Sequence, residues 1–267
     1  MHGLNATLAT LLRRLEAVAL QGVIPWSCPV PSFGDLSNSR VATLGLNPSN
    51  REFVDGSGNE LDGESRRFHT LKSLGLSCWA DASDQHLEQI VDTCRAYFHR
   101  NPYDGWFKRL DQLISGTRAS YYDNAAQACH LDLIPYATIC KWTDLTKAQR
   151  SVLMVEAGDT LGLLIRESPI KVLVLNGNSV VANFEEISGV QLGKEVRLDW
   201  SLPRQSVPDV PGFSYKGTVQ SISGIELDRE LLVLGYNHNI QSSFGVTTHV
   251  MTSIRRWIAH ATKELFA

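Results

Sequence analysis

Asn47 is the residue in this chain best suited to chemistry. It ends the run Arg40-Val41-Ala42-Thr43-Leu44-Gly45-Leu46-Asn47-Pro48-Ser49, in which an apolar strand passes into a polar turn. A side-chain amide accepts from a water and donates to a ligand at once. Pro48 fixes its own φ and keeps Asn47 out of the α region, so the amide is aimed rather than mobile. An isolated Asn-Pro is an ordinary turn. Here a second polar tract, Gly235-Tyr236-Asn237-His238-Asn239-Ile240-Gln241-Ser242-Ser243, follows another apolar strand far along the chain. His238 within it is either a proton-handling side chain or a turn cap. Between the two tracts, Ala128-Cys129-His130-Leu131-Asp132-Leu133-Ile134-Pro135 is apolar except at His130 and Asp132. An ionised Asp132 accepts hydrogen bonds and donates none, so it reads a ligand donor or serves neighbouring backbone N–H groups. Residue type leaves both open.

These residues need elements to hold them. Residues 40–45, 128–134, 170–175 and 231–235 have the composition of buried strands. Helical spacing of apolar residues marks 8–20, 85–98, 106–114, 147–166, 179–187 and the segment after Thr248. Strands alternating with helices predict an α/β fold, a three-layer α/β/α sandwich around a mostly parallel four-stranded sheet. The alternating stretches 195–200 and 215–222 predict an appended β-hairpin within 195–222. Residues 1–38 read as an N-terminal helix and an irregular lead-in, and the whole of 1–267 as one domain. In an open parallel sheet, ligands bind at the carboxyl ends of the strands, where Asn47 falls. The polar loop 50–64, with Gly56, Gly58 and Gly63, is tethered there and fits a lid.

Composition narrows the function classes. Hydrophobic residues make up 43% and charged residues 20%, as in ordinary globular domains. No stretch approaches the roughly 20 apolar residues that span a bilayer, and the first residues lack a signal peptide's pattern. A cytoplasmic protein with no membrane partner is expected. Five cysteines without a C-x-x-C pair, and eight histidines without H-E-x-x-H spacing, predict no metal and no cofactor. A net charge of −3 counts against extended non-specific nucleic-acid binding, though a compact site can still contact a few phosphates through backbone N–H groups.

Gly45-Leu46-Asn47-Pro48-Ser49 after the first strand, with the His238 tract after the last, resembles the uracil-DNA glycosylase superfamily. Its mismatch-specific and single-strand-selective branches carry Gly-x-Asn-Pro as their first motif. The likeness extends over residues 40–260 in the order strand, lid, helices and three more strands. It implies that Asn47 holds the attacking water, that Phe68 or Phe53 stacks on the base, and that Asp132 occupies the base-reading position on the second strand. It also implies that His238 donates to O2 of the base and that Asn239, Gln241, Ser242 and Ser243 belong to the loop pressed into DNA. Asn178 and Ser179 match the phosphate-contacting helix start. DNA with a flipped nucleotide is the implied partner, with no obligate protein partner.

This chain departs from the family pattern at two positions that bear on substrate. The usual His-Pro-Ser is His238-Asn239-Ile240, and the usual base-reading Asn is Asp132. A carboxylate opposes the O4 acceptor of uracil or thymine and matches the N4 amino group of cytosine. Ser49, where the uracil enzymes carry a bulky Tyr, leaves room for a C5 substituent. The expectation is a monofunctional DNA glycosylase acting on a C5-modified cytosine, hydroxymethylated or glucosylated, of phage DNA. The alternatives are a uracil or thymine mismatch glycosylase in base-excision repair, a non-catalytic nucleobase- or nucleic-acid-binding module, and a hydrolase of free nucleosides. Asn176, Tyr103 and Trp106 are further polar or aromatic residues that could line the site, with core or surface packing the stronger reading for Tyr103 and Trp106. Arg66, Arg67, Arg100, Lys108 and Arg109 form a basic face or a solvated surface.

Overall fold

The computed structural model describes residues 2–17, 21–99, 104–123, 127–204, 208–241 and 245–266. In chain order the elements begin with α1 (His2–Ala17), β1 (Val41–Gly45), α2 (Leu71–Leu74), α3 (Asp84–Arg95), α4 (Asp104–Ile114) and β2 (Ala128–Asp132). Then come α5 (Lys147–Ala157), α6 (Thr160–Arg166), β3 (Val172–Asn176) and α7 (Asn178–Ser188). The chain closes with β4 (Gly193–Leu202), β5 (Val210–Ile222), β6 (Ile225–Tyr236) and α8 (Thr248–Thr262).

The fold is α/β, built on a six-stranded mixed sheet of order β2-β1-β3-β6-β5-β4. The first four of these pair in parallel and the last two join antiparallel. Four parallel strands therefore form part of a larger sheet, and the expected appended hairpin is its continuation. The connection that decides this is Ser223-Gly224, with φ of 48° and 77°. Two successive residues at positive φ make the tight hairpin turn that matches strand twist, so β5 must fold back on β6. Strand β6 also starts earlier than its apolar run suggests. Its first half, with Glu226, Asp228 and Glu230, alternates against the solvent before Leu231 to Leu234 enter the core.

Every residue of β1 and β2 is buried, as expected of central parallel strands. Thr43 stands beside His130 and Gly45 beside Asp132 in the register of these two strands. A Cβ on Gly45 would point at His130 and Asp132, so these residues share one face of the sheet. Leu44 is level with Leu175, and Leu175 with Gly235, whose Cβ direction meets Val181 of α7. Helix α7 thus covers the opposite face. Helix α4 brings Trp106 and Phe107 against His130 on the first face, and α8 packs on α4.

The helix expected over 147–166 breaks at Gly158-Asp159, where the Asp159 carboxylate takes two bonds from Arg14 of α1 at 2.6 and 2.7 Å. Residues 50–64 are more ordered than a plain loop. They contain two 3₁₀ turns, Asn50–Glu52 and Gly63–Ser65, and a turn built on the Asp55 carboxylate, which accepts from the Ser57 and Asn59 N–H groups.

Arg229 of β6 fastens the α6–β3 connection by donating to the carbonyls of Ile170 (2.9 Å), Ile165 (2.6 Å) and Ser168. Removing a charged donor leaves these carbonyls without it, and each such bond is worth on the order of 1.5–3 kcal/mol. Arg229→Ala is expected to lower the urea midpoint by the equivalent of about 2–3 kcal/mol. An unchanged midpoint would show the clamp to be dispensable.

Candidate functional site

The carboxyl ends of β1 and β2 open into a cavity of about 370 Å³. Its walls include Phe33, Trp106 and Phe107, and its polar lining is Asn47, Ser49, Arg51, Glu52, His130 and Asp132. Apolar walls with a few convergent polar groups, at strand ends, are the usual form of a small-molecule site.

Asn47 is half-buried, and its orientation follows from its partners. Its Nδ2 donates to the Pro48 carbonyl at 3.0 Å and to Thr138 Oγ1 at 2.9 Å. The single Thr138 hydroxyl proton is committed to the Cys140 carbonyl at 2.7 Å, so Thr138 can only accept from Asn47. This fixes the amide flip. Both N–H groups are spent within the protein, and Oδ1 is the atom left to hold a water. The double role expected from the sequence reduces to an acceptor.

Asp132 sits at the end of β2 with 6% exposure. His130 Nε2 lies 3.5 Å from Asp132 Oδ1, and His130 Nδ1 is 2.7 Å from Thr43 Oγ1, which is 2.5 Å from the Tyr121 hydroxyl. A carboxylate only accepts, so with Asp132 ionised Nε2 carries the imidazole proton and Nδ1 accepts from Thr43. Thr43 then accepts from Tyr121. This chain orients Oδ1 and leaves Oδ2 of Asp132 for a ligand. A Cβ on Gly45 would come within 2.3 Å of Asp132 Oδ1 and 2.9 Å of His130 Nε2. Glycine in Gly-x-Asn-Pro is thus required for room beside this pair, not for a sharp turn.

Glu52, on the 3₁₀ turn after Ser49, is 4% exposed. Tyr97 donates to its Oε1 at 3.0 Å, Arg67 Nη1 lies 3.8 Å from Oε2, and Oε2 has no hydrogen-bond partner. Burial pushes the carboxyl up to about 7, against the opposing pull of Arg67 and Tyr97 and with a smaller upward push from Asp132. Ser49 is exposed at the cavity edge, and its side chain caps the turn by accepting from the Arg51 N–H.

Other expected site residues fall elsewhere. His238 lies at the same end of the sheet as Asn47, but β1 and β6 are two strand spacings apart, roughly 10 Å. Its ring is 3% exposed and absent from the cavity wall. Nε2 faces the Trp200 carbonyl at 2.7 Å and so must donate, while burial holds the ring below the ordinary histidine range. This contact fits the cap-like alternative for His238, and the ring does not line the cavity that Asn47 lines. Phe68 and Phe53, each 1% exposed, are core residues, with Phe68 stacked on Tyr97 at 5.2 Å. The aromatic walls come from Phe33, Trp106 and Phe107 instead, and Trp106 is the half-buried one of the three.

Asn178 and Ser179 are exposed at the start of α7, where Asn178 accepts from the Tyr215 hydroxyl at 3.3 Å. Asn239 is exposed and caps the Gln241 N–H, Gln241 accepts from Asn176, and Ile240 is fully buried. Ser242, Ser243, Arg100 and Tyr103 lie outside the described residues. Asn176 is turned to Tyr236 and Gln241, away from the cavity. Arg67 donates to the Arg51 carbonyl beneath the site and is no part of a free basic face.

Compared with known proteins, the sequence matches no family model, and no curated protein is similar to it. Among the described residues, no helix is long and apolar enough to cross a membrane, and no three His, Cys, Asp or Glu side chains are grouped to hold a metal ion.

Glu52 makes stability depend on pH in a definite direction. Its folded pKa, about 7, exceeds the ordinary 4.5, so its favourable contribution is complete below 4.5 and lost as pH rises through 7. Glu52→Gln is expected to gain on the wild type by on the order of 3 kcal/mol between these limits. Denaturation curves at pH 4, 6 and 8 measure the gap. A gap independent of pH would mean that folding leaves the Glu52 pKa where it is in the unfolded chain.

Proposed function

We propose that the protein is a monofunctional DNA glycosylase that receives a flipped, amino-bearing pyrimidine in the cavity at the carboxyl ends of β1 and β2. The observation that carries this reading is the position of Asn47 and Asp132 on one aromatic-walled cavity. One presents a fixed carbonyl oxygen and the other a fixed carboxylate. A cytosine-type base donates from N4 to Asp132, an interaction worth roughly 1–3 kcal/mol of discrimination against a base with an acceptor there. Trp106 is the wall residue best placed to cover the base face, being partly open to the cavity. Extruding the nucleotide costs unstacking energy, which such contacts offset.

Cleavage of the N-glycosidic bond leaves positive charge on the sugar. Asn47 Oδ1 holds a water that adds once that charge has developed, so a strong base at residue 47 is unnecessary. Ser49 at the edge leaves space for a substituent at C5, which favours hydroxymethylated or glucosylated cytosine, as in phage DNA, over the unmodified base. Among the described residues no lysine lines the cavity to form an imine, so strand cleavage is not part of the proposed reaction. A cytoplasmic role in defence against modified phage DNA follows from that substrate, with repair of mismatched uracil or thymine as the competing assignment.

The test is release of base from oligonucleotides carrying cytosine, hydroxymethylcytosine, glucosylated cytosine or uracil, scored as abasic sites. Asn47→Ala is expected to lose about 10²–10³ in single-turnover rate while still binding the oligonucleotide. Asp132→Asn is expected to lose the preference for cytosine derivatives over uracil. Release that is insensitive to both substitutions, or absent from every oligonucleotide, would remove the assignment.

Thr138 is a positioning residue in this scheme, acting only through Asn47. Thr138→Val removes the acceptor that fixes the amide, and is expected to lower kcat about tenfold or more at an unchanged KM. An equal rise in KM would point to a general loosening of the cavity instead.

A further inference from the structure

Glu52 is the polar group of the cavity that the scheme above leaves unused. Its carboxyl is inside the protein, on the cavity wall, with one oxygen held by Tyr97 and the other without a donor. An ionised oxygen in that position costs desolvation with no hydrogen bond in return. A protonated oxygen is a donor, on a residue that lines the cavity. The charged and titratable groups around it are Arg67 and Tyr97, which favour the anion, and Asp132, which opposes it. Arg51 and His130 complete the polar wall of the same cavity. Burial outweighs the favourable partners, so the carboxyl titrates at about 7.

A departing cytosine ring needs such a group. Uracil and thymine leave as anions spread over two carbonyl oxygens, whereas cytosine has an amino group in place of O4 and holds negative charge less well. A proton on ring N3 lets it leave neutral. His238, which the family resemblance would place at O2 of the base, is committed to Trp200. We infer that Glu52 is the general acid of the site, donating its carboxyl proton to N3 of the base while Asp132 accepts from the neighbouring N4 amino group. The inference rests on the reading of the cavity as the site of an amino-bearing pyrimidine.

In this step the Glu52 O–H bond breaks as the N3–H bond forms. The C1′–N1 bond breaks with its electron pair passing to the ring, and the base departs neutral. The water on Asn47 bonds to C1′ through oxygen and gives up one proton, which restores the Glu52 carboxyl through solvent. The sum is base-bearing DNA plus water giving free base plus an abasic site.

The experiment is single-turnover release of hydroxymethylcytosine from an oligonucleotide between pH 5 and 9, with binding measured alongside. The wild-type rate is expected to be level below about 7 and to fall tenfold per pH unit above it. Glu52→Gln keeps the Tyr97 contact and the volume, and is expected to lose 10²–10⁴ in rate with the alkaline fall near 7 abolished and binding retained. Tyr97→Phe, which keeps Glu52 but removes a bond favouring its anion, is expected to move the fall to higher pH. Glu52→Gln at the wild-type rate, or a fall that Tyr97→Phe leaves in place, overturns the acid assignment alone if Asn47→Ala still abolishes release. No release by the wild type from any cytosine derivative overturns the glycosylase reading and the acid with it.

Discussion

Close approach of two strands at one residue without a side chain governs the site. The His130 and Asp132 side chains fill the space that a Cβ at residue 45 would need. Because β1 and β2 are parallel and in register, that gap recurs at the end where both chains turn away from the sheet. The carboxylate of Asp132 is thereby held against the first turn, within one cavity with Asn47 and Glu52. A larger residue at 45 would push the pair outward and close the cavity from its floor.

Burial does the rest of the electrostatic work. Tyr121, Thr43, His130 and Asp132 form one buried chain of donors ending on an acceptor, which sets the imidazole tautomer without any external ligand. Glu52 sits on the neighbouring wall with too few donors, and its carboxyl rises accordingly. Two carboxyl groups line one cavity, and burial above all, with a smaller push from Asp132, favours the proton on Glu52, so an acceptor and a donor share the same wall. That pairing matches the donor and acceptor on the edge of a cytosine ring.

Much of this was legible in the residues. Buried parallel strands announce themselves as uninterrupted apolar runs, and Asn47 at the end of one fell on the cavity. Polar residues two apart in the apolar run of β2 lie on one face by strand geometry, which marks His130 as well as Asp132. Glu52 and Phe33 carried no such mark. Glu52 reads as one more polar loop residue, and in the fold its carboxyl is met by Tyr97 and Arg67, both distant in sequence. Phe33 reaches the cavity only because its backbone pairs with His130 across a long separation in sequence. His238 shows the converse: its place after β6 matches a motif, and the antiparallel extension of the sheet brings the Trp200 carbonyl onto its ring. The hairpin itself is legible, but its joining the sheet through β6 is not, because half of β6 is polar and alternating and the decisive turn is only two residues long.

On the proposed function, a flipped cytosine-type base lies between Phe33, Trp106 and Phe107 with its amino group on Asp132. A crystal structure of Asn47→Ala bound to an oligonucleotide containing hydroxymethylcytosine tests it most directly. The base is expected outside the duplex, inside the cavity at the ends of β1 and β2, with N4 within hydrogen-bond distance of Asp132 and the C5 group toward Ser49. A base still stacked in the DNA with the cavity vacant, or one seated with its amino group away from Asp132, would contradict it.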